Sequence, residues 1–139
     1  MHQAISDIIV RTNKKGLYDI TRSCVDWAES QSCSTGLLTL FVAHTSASLL
    51  IQENADPDVL VDMERFFSKL VPENDPAYRH TAEGPDDMPA HIRSALTQTQ
   101  ISIPLKEGKL VLGIWQGIYL FEHRSAPHMR KICTHLIGA

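Results

Sequence analysis

The sequence predicts an α+β fold, a single domain over residues 1–139 with a mainly antiparallel sheet and helices inserted between its strands. Three observations predict it. Apolar residues alternate with polar ones, or form short continuous blocks rich in β-branched residues, along much of the chain. Other segments repeat apolar residues every three or four positions between helix start and stop signals. The strand-like runs are joined by hairpin turns rather than by regular helical crossovers.

Residues 3–12 read as a strand closed by a turn at Asn13 to Gly16. Residues 21–32 suit a helix with Cys24, Val25, Trp27 and Ala28 on its apolar face. Residues 37–44, LLTLFVAH, are apolar on both faces, as in a central strand. Residues 48–53 form a further short strand. Asp56 and Pro57 make a helix start, with Asp as N-cap and Pro at the first helical position. Leu60, Met63, Phe67 and Leu70 follow at helical spacing until Pro72 ends the pattern. Pro72 to Pro89 is turn-rich and acidic, and loops of that length tend to be functional or disordered. A further helix starts at Asp87, with Met88, Ile92, Ala95 and Leu96 as its stripe, placing His91 in its first turn. Residues 99–105 are a strand, Glu107-Gly108 a hairpin turn, and 109–124 one long strand; 129–138 close the chain as a last strand.

The composition, with 43% hydrophobic and 21% charged residues, is that of a globular chain. A net charge of −3 speaks against a nucleic-acid coat. No apolar run approaches the ~20 residues of a membrane span, and no secretory leader is visible. The three cysteines, Cys24, Cys33 and Cys133, match no zinc ribbon and read as reduced thiols, so a cytoplasmic location is expected.

Seven histidines stand out. His44, His80, His91 and His123 lie at element ends or in the long loop, where scaffolds present reactive groups. Imidazole is the commonest zinc ligand, and three histidines with an open position are a catalytic pattern. Spacing alone leaves hydrogen-bonded structural histidines as the commoner alternative. Thr45, Ser46 and Ser48 could contact phosphate or simply cap a turn. Glu53, Asp87 and Glu122 lie near the histidines in sequence as candidate bases, or as acceptors for ligand N–H groups. Trp115 and Gln116 could line a pocket or belong to the core.

Six segments carry a resemblance: His44-Thr-Ser-Ala-Ser48, Glu53-Asn-Ala-Asp-Pro57, Asp62-Met-Glu-Arg65, Glu83-Gly-Pro-Asp-Asp-Met-Pro-Ala-His91, Gly113-Ile-Trp-Gln-Gly117 and Glu122-His-Arg124. In this order, across essentially the whole chain, they resemble the YjbQ-like family, often named secondary thiamine-phosphate synthase. The resemblance implies one mainly antiparallel β-sheet or sandwich with two to three helices, assembled as a homotrimer. It implies a bound divalent metal, zinc first, with His44, His91 and His123 as ligands and His80 as a further candidate. It also implies thiamine-phosphate synthase activity, in which a hydroxymethylpyrimidine diphosphate joins a thiazole phosphate and pyrophosphate leaves. Mg²⁺ would suit the pyrophosphate chemistry. Carried onto this chain, the motifs offer Thr45, Ser46, Ser48, Asn54, Arg65, Trp115 and Gln116 as substrate contacts. They offer Glu53, Asp87, Glu122 and Arg124 as catalytic groups.

Two alternatives remain open on the residues themselves. No phosphate-cradling glycine loop is present, and the motif-borne cations are chiefly Arg65 and Arg124. A three-ligand metal site suits hydroxide generation, hence a zinc-dependent hydrolase or lyase of a small substrate. The other alternative is a non-enzymatic trimer that binds a metal or metabolite. The expected partners are a small phosphorylated metabolite and further copies of the chain, with neither nucleic acid nor membrane.

Overall fold

A computed structural model describes all residues, 1–139. The chain runs β1 (His2–Thr12), β2 (Gly16–Asp19), α1 (Thr21–Glu29), β3 (Gly36–Val42), β4 (Ala47–Glu53), α2 (Pro57–Leu70), α3 (Asp87–Leu96), β5 (Gln100–Lys106), β6 (Lys109–Leu110), β7 (Gln116–Glu122) and β8 (His128–Gly138). Every strand pairing is antiparallel. Five strands form one sheet in the order β1-β8-β3-β5-β6, and three form a second in the order β2-β7-β4. The expected α+β class with a mainly antiparallel sheet and three helices is therefore what the chain adopts. No helix is long and apolar enough to cross a membrane.

The core lies between the two sheets. Leu38 and Leu40 of β3, Ile101, Ile103 and Leu105 of β5, and Ile132 and Leu136 of β8 meet Leu49 of β4 and Ile118 and Leu120 of β7. The strict alternation of β5, with Ile101, Ile103 and Leu105 buried and their neighbours exposed, follows from one face on the core and one in solvent. Strand β7 is buried on both faces after Gln116 because helices cover the side of the second sheet that faces away from the core. There Phe121 meets Phe67 of α2 edge to face, and the Arg93 guanidinium of α3 lies 5.1 Å from the centre of its ring. Helix α1 closes another side through Cys24 and Ala28.

The expected helix start at Asp56-Pro57 is present, and the Asp56 carboxylate accepts from the Asp58 N–H. Of its expected stripe, Leu60, Met63 and Phe67 are half-buried, but Leu70, the last residue of the helix, is exposed. The Glu107-Gly108 hairpin is also present, with both residues at positive φ, as a tight turn between β5 and β6 requires.

Three expectations need correction. Residues 109–124 are not one strand. β6 stays with β5 in the first sheet, and β7 belongs to the second. Between them Gln116 folds back on Gly113, with Gly113 N–H donating to Gln116 Oε1 at 2.7 Å. A further short strand, β2, precedes α1, its four residues pairing with β7. α1 itself stops at Glu29, where Ser30 and Gln31 side chains donate to the Trp27 carbonyl and terminate it.

Candidate functional site

The site grows from the first turns of α3. The N-cap residue Asp86 makes no side-chain cap, because its carboxylate faces the β7–β8 connection instead. Its Oδ2 accepts from Arg124 Nε at 3.0 Å and from Ser125 N–H at 2.9 Å. Asp87 follows at the first helical position with a nearly buried side chain. Its two oxygens have different partners. Oδ1 accepts from Arg124 Nη1 at 2.6 Å, whereas Oδ2 faces His80 Nε2 at 2.5 Å and His91 Nε2 at 3.3 Å. His91 stands four residues after Asp87, so the helix itself stacks them on one face. It therefore lies in the second turn, not in the expected first.

His80 comes from the long loop, which folds over the start of α3. Its Nε2 is also 3.2 Å from the exposed Glu83 carboxylate. The Nδ1–H of His91 donates to the Thr45 carbonyl at 3.1 Å, which turns Nε2 toward Asp87. One donor atom from each of His80, Asp87 and His91 lies within 4.8 Å of the others. The Asp87 carboxyl is held below its ordinary range. Burial works against the charge, but the His80 hydrogen bond and the Arg124 guanidinium outweigh it.

Arg124 reaches this loop because Glu122 shapes the chain before it. Glu122 is fully buried and accepts five hydrogen bonds. Oε1 receives Thr12 Oγ1 at 2.6 Å and Arg130 Nε at 2.8 Å; Oε2 receives Arg130 Nη2 at 2.5 Å and the backbone N–H groups of His123 and Arg124, both at 3.1 Å. Burial again opposes the charge, yet the Arg130 and Thr12 bonds hold its carboxyl below the usual range. A carboxylate so saturated and so deep has no capacity to act as a general base, which corrects the expectation for Glu122.

The expected histidines divide. His80 and His91 come together with Asp87, whereas His44 and His123 do not join them within one chain. His44 lies just beyond β3 on the side of the first sheet, where its Nε2 accepts the Lys131 N–H at 2.8 Å. His123 is fully buried, with its Nε2 2.9 Å from Ser48 Oγ and no partner on Nδ1. Burial, with Arg93 and Arg130 nearby, pushes its pKa down to about 3, so the ring is neutral. The hydroxyls are corrected likewise. Ser48 is spent on His123, and buried Ser46 accepts from Arg130 Nη2 at 2.9 Å. Thr45 remains exposed and contributes its carbonyl to His91.

Glu53, Asn54, Trp115 and Gln116 gather elsewhere. Asn54 N–H donates to the Trp115 carbonyl at 3.0 Å, tying the β4–α2 turn to the approach to β7. Glu53 and the exposed Trp115 line a separate cavity with Asp56. Arg65 is exposed on α2 with no ion-pair partner. Sequence reasoning missed Arg130 and Arg93, both buried ion-pair partners. For Arg130 a signal existed, since it shares strand parity with the core-facing Ile132, Thr134 and Leu136.

A cavity of about 260 Å³ adjoins His80, lined besides it by Asn74, Asp75, Tyr78, Thr81, Gly84, Pro85 and Met88; Asp87 and His91 do not line it. The arrangement can hold a divalent ion through two imidazole nitrogens and one carboxylate oxygen, with that cavity on the His80 side.

Comparison with known proteins places the chain, by sequence and fold, in a lineage. Residues 6–139 match the model of the family described as UPF0047 protein YjbQ-like. The chain is 52% identical over 137 residues to UPF0047 protein sll1880 of Synechocystis, covering 99% of this chain and 92% of that one. It is 53% identical over 104 residues to UPF0047 protein YjbQ of Salmonella typhimurium, covering 75% of each. Among solved structures, the conserved protein TT1486 of Thermus thermophilus superposes with a TM-score of 0.84 at 35% identity, over 95% of this chain and 99% of that one. A YjbQ/UPF0047 protein of Clostridium acetobutylicum superposes with a TM-score of 0.87 at 34% identity, over the same shares. With sequence match and fold agreeing along nearly its whole length, the chain belongs to the UPF0047 YjbQ-like family.

Proposed function

We propose that this protein is a metal-dependent enzyme acting on a small phosphorylated metabolite, with one divalent ion held by His80, Asp87 and His91. The observation that carries the reading is the single oxygen Asp87 Oδ2, which faces Nε2 of both histidines while Oδ1 is tied to Arg124. Ligands about 2.0–2.1 Å from a tetrahedral zinc stand roughly 3.3 Å apart. The His91–Asp87 spacing of 3.3 Å already fits; His80 at 2.5 Å would exchange its hydrogen bond for ligation by a small retreat. Zinc is the first choice for this nitrogen-rich set, with Mg²⁺ a second ion for pyrophosphate chemistry.

A bound ion here would polarise a phosphoryl oxygen and neutralise charge developing on it. The protein's own groups orient the ligands: Thr45 fixes the His91 tautomer and Arg124 fixes Asp87. The cavity beside His80 would seat the metabolite next to the ion. The reaction proposed first is the one the family resemblance implies. The thiazole nitrogen attacks the pyrimidine methylene, a C–N bond forms, and the C–O bond breaks with its electron pair leaving on pyrophosphate.

One observation favours a second reading, metal-dependent hydrolysis. Arg124 is engaged by Asp86, Asp87 and the Glu83 carbonyl and is not free to clamp a pyrophosphate. The homotrimer is likewise proposed. Ile5, Ile9, Leu37, Phe41 and Met129 are exposed on one face of the first sheet, an apolar surface that self-association would cover.

The test incubates tag-free protein with both phosphorylated halves and Zn²⁺ or Mg²⁺, following thiamine phosphate and inorganic phosphate separately. Thiamine phosphate lost in His80→Ala and Asp87→Asn supports the synthase. Phosphate release without coupling supports the hydrolase. Metal bound with neither product supports a binding trimer.

A further inference from the structure

We propose that Arg124 is the metal-selectivity residue of the His80–Asp87–His91 group, a positioning residue rather than a catalytic one. The inference rests on the metal reading above and extends it to which ions the site refuses.

Large hard cations recruit six to eight oxygens, often through bidentate carboxylates and backbone carbonyls, whereas zinc is satisfied by three or four nitrogen, sulfur or single oxygen donors. The segment around Asp87 is rich in the oxygens a hard cation would gather. One guanidinium occupies three of them. Arg124 Nη1 takes Asp87 Oδ1 at 2.6 Å, Nε takes Asp86 Oδ2 at 3.0 Å, and Nη2 takes the Glu83 carbonyl at 3.0 Å. Ser125 N–H adds a second donor to Asp86 Oδ2. Asp87 is thereby confined to one-oxygen ligation, and beside the two nitrogens and Asp87 Oδ2 only the exposed Glu83 carboxylate, 3.2 Å from His80 Nε2, keeps oxygens that the guanidinium does not occupy.

The clamp is itself fixed from below. Glu122 Oε2 accepts the backbone N–H of Arg124, and the same carboxylate is pinned by Arg130, so the stem of Arg124 starts from a rigid turn. The side chain of Arg124 is largely buried, as are those of both aspartates. A planar fork of donors suits this three-way grip, and a lysine's single ammonium cannot reproduce it.

The experiment strips the full-length protein with a chelator and measures Kd for Zn²⁺, Mn²⁺, Mg²⁺ and Ca²⁺ by competition with an indicator dye. Wild type, Arg124→Gln and Arg124→Lys are compared, and Co²⁺ absorption serves as a report of coordination number. In Arg124→Gln, zinc affinity falls by about 10- to 100-fold, the range for losing a group that orients a ligand. Affinity for Mg²⁺ and Ca²⁺ holds or rises, so the preference for zinc shrinks by at least the same factor. The visible Co²⁺ bands weaken as oxygens are added. Arg124→Lys shifts the ratio in the same direction by less, and it carries the test if Arg124→Gln does not fold. Equal losses for every ion with an unchanged Co²⁺ spectrum overturn the selectivity role while leaving the metal reading intact. A wild-type protein that binds neither Zn²⁺ nor Co²⁺ overturns the metal reading itself.

Discussion

Asp87 and His91 stand one helical turn apart on α3, with Asp87 Oδ2 3.3 Å from His91 Nε2. The i, i+4 spacing makes this pair a property of the helix, and His80 closes on it from the loop. Zinc should therefore bind the folded state and stabilise it. At a free concentration about 100 times Kd the gain is about 2.7 kcal/mol. In a domain of this size that is on the order of 10 °C in Tm. Thermal melts with zinc and with chelator check this, and His80→Ala or His91→Ala should erase the difference.

Glu122 and Arg130 form a buried ion pair, 0% and 3% exposed, that ties β7 to β8 and to Thr12 of β1. Arg130→Met leaves the carboxylate buried without its main partner and should cost about 3–5 kcal/mol. Urea unfolding measures the cost. Glu122→Gln should be milder than Glu122→Ala, since an amide oxygen still accepts from the backbone.

Much of this was legible in the sequence, and the exceptions are instructive. The α2 start at Asp56-Pro57 and the hairpin at Glu107-Gly108 are local signals, and both hold. The break between β6 and β7 is not local. The run from Lys109 to Arg124 is strand-like throughout, and only the choice of sheet decides that residues 111–115 must cross. The site shows the same division. Asp87 and His91 share a helix face, so their pairing is in the spacing. His80 joins them through the folded loop, and no periodicity links it to α3. His123 reads as a ligand at a strand's end, but its parity with Phe121 turns it under the helices instead.

Ser48→Ala tests that last point. The mutation leaves His123 Nε2 without a partner in a buried setting and should destabilise by about 1–3 kcal/mol. Zinc affinity should stay within about 3-fold of wild type, well inside the 10-fold loss expected when a ligand's orienting partner is removed. A large loss of metal binding in a stably folded Ser48→Ala protein would return His123 to the site.

The buried His123 also sets a pH dependence. In the unfolded chain the ring takes up its proton near the ordinary value of 6.5; in the folded protein burial delays this to about 3. The unfolded state binds more protons throughout that interval, so stability falls as pH drops from about 6.5 towards 3. The contribution is on the order of a few kcal/mol. Glu122 adds to the loss only further down, once pH enters and falls below the carboxylate range, because its folded carboxyl titrates lower than the unfolded one. Denaturant unfolding at pH 7, 6 and 5 separates the histidine contribution from that of the carboxylates. His123→Gln should flatten the slope in this window relative to wild type, with His44, also pushed down by burial and Arg130, accounting for part of what remains.

The most direct test is a crystal structure of zinc-loaded protein with anomalous data at the zinc edge. One peak per chain is expected, with His80 Nε2, Asp87 Oδ2 and His91 Nε2 at about 2.0–2.1 Å and Asp87 Oδ1 still on Arg124. Zinc bound at His44 or His123 instead, or no peak at the α3 site under saturating zinc, would contradict the account.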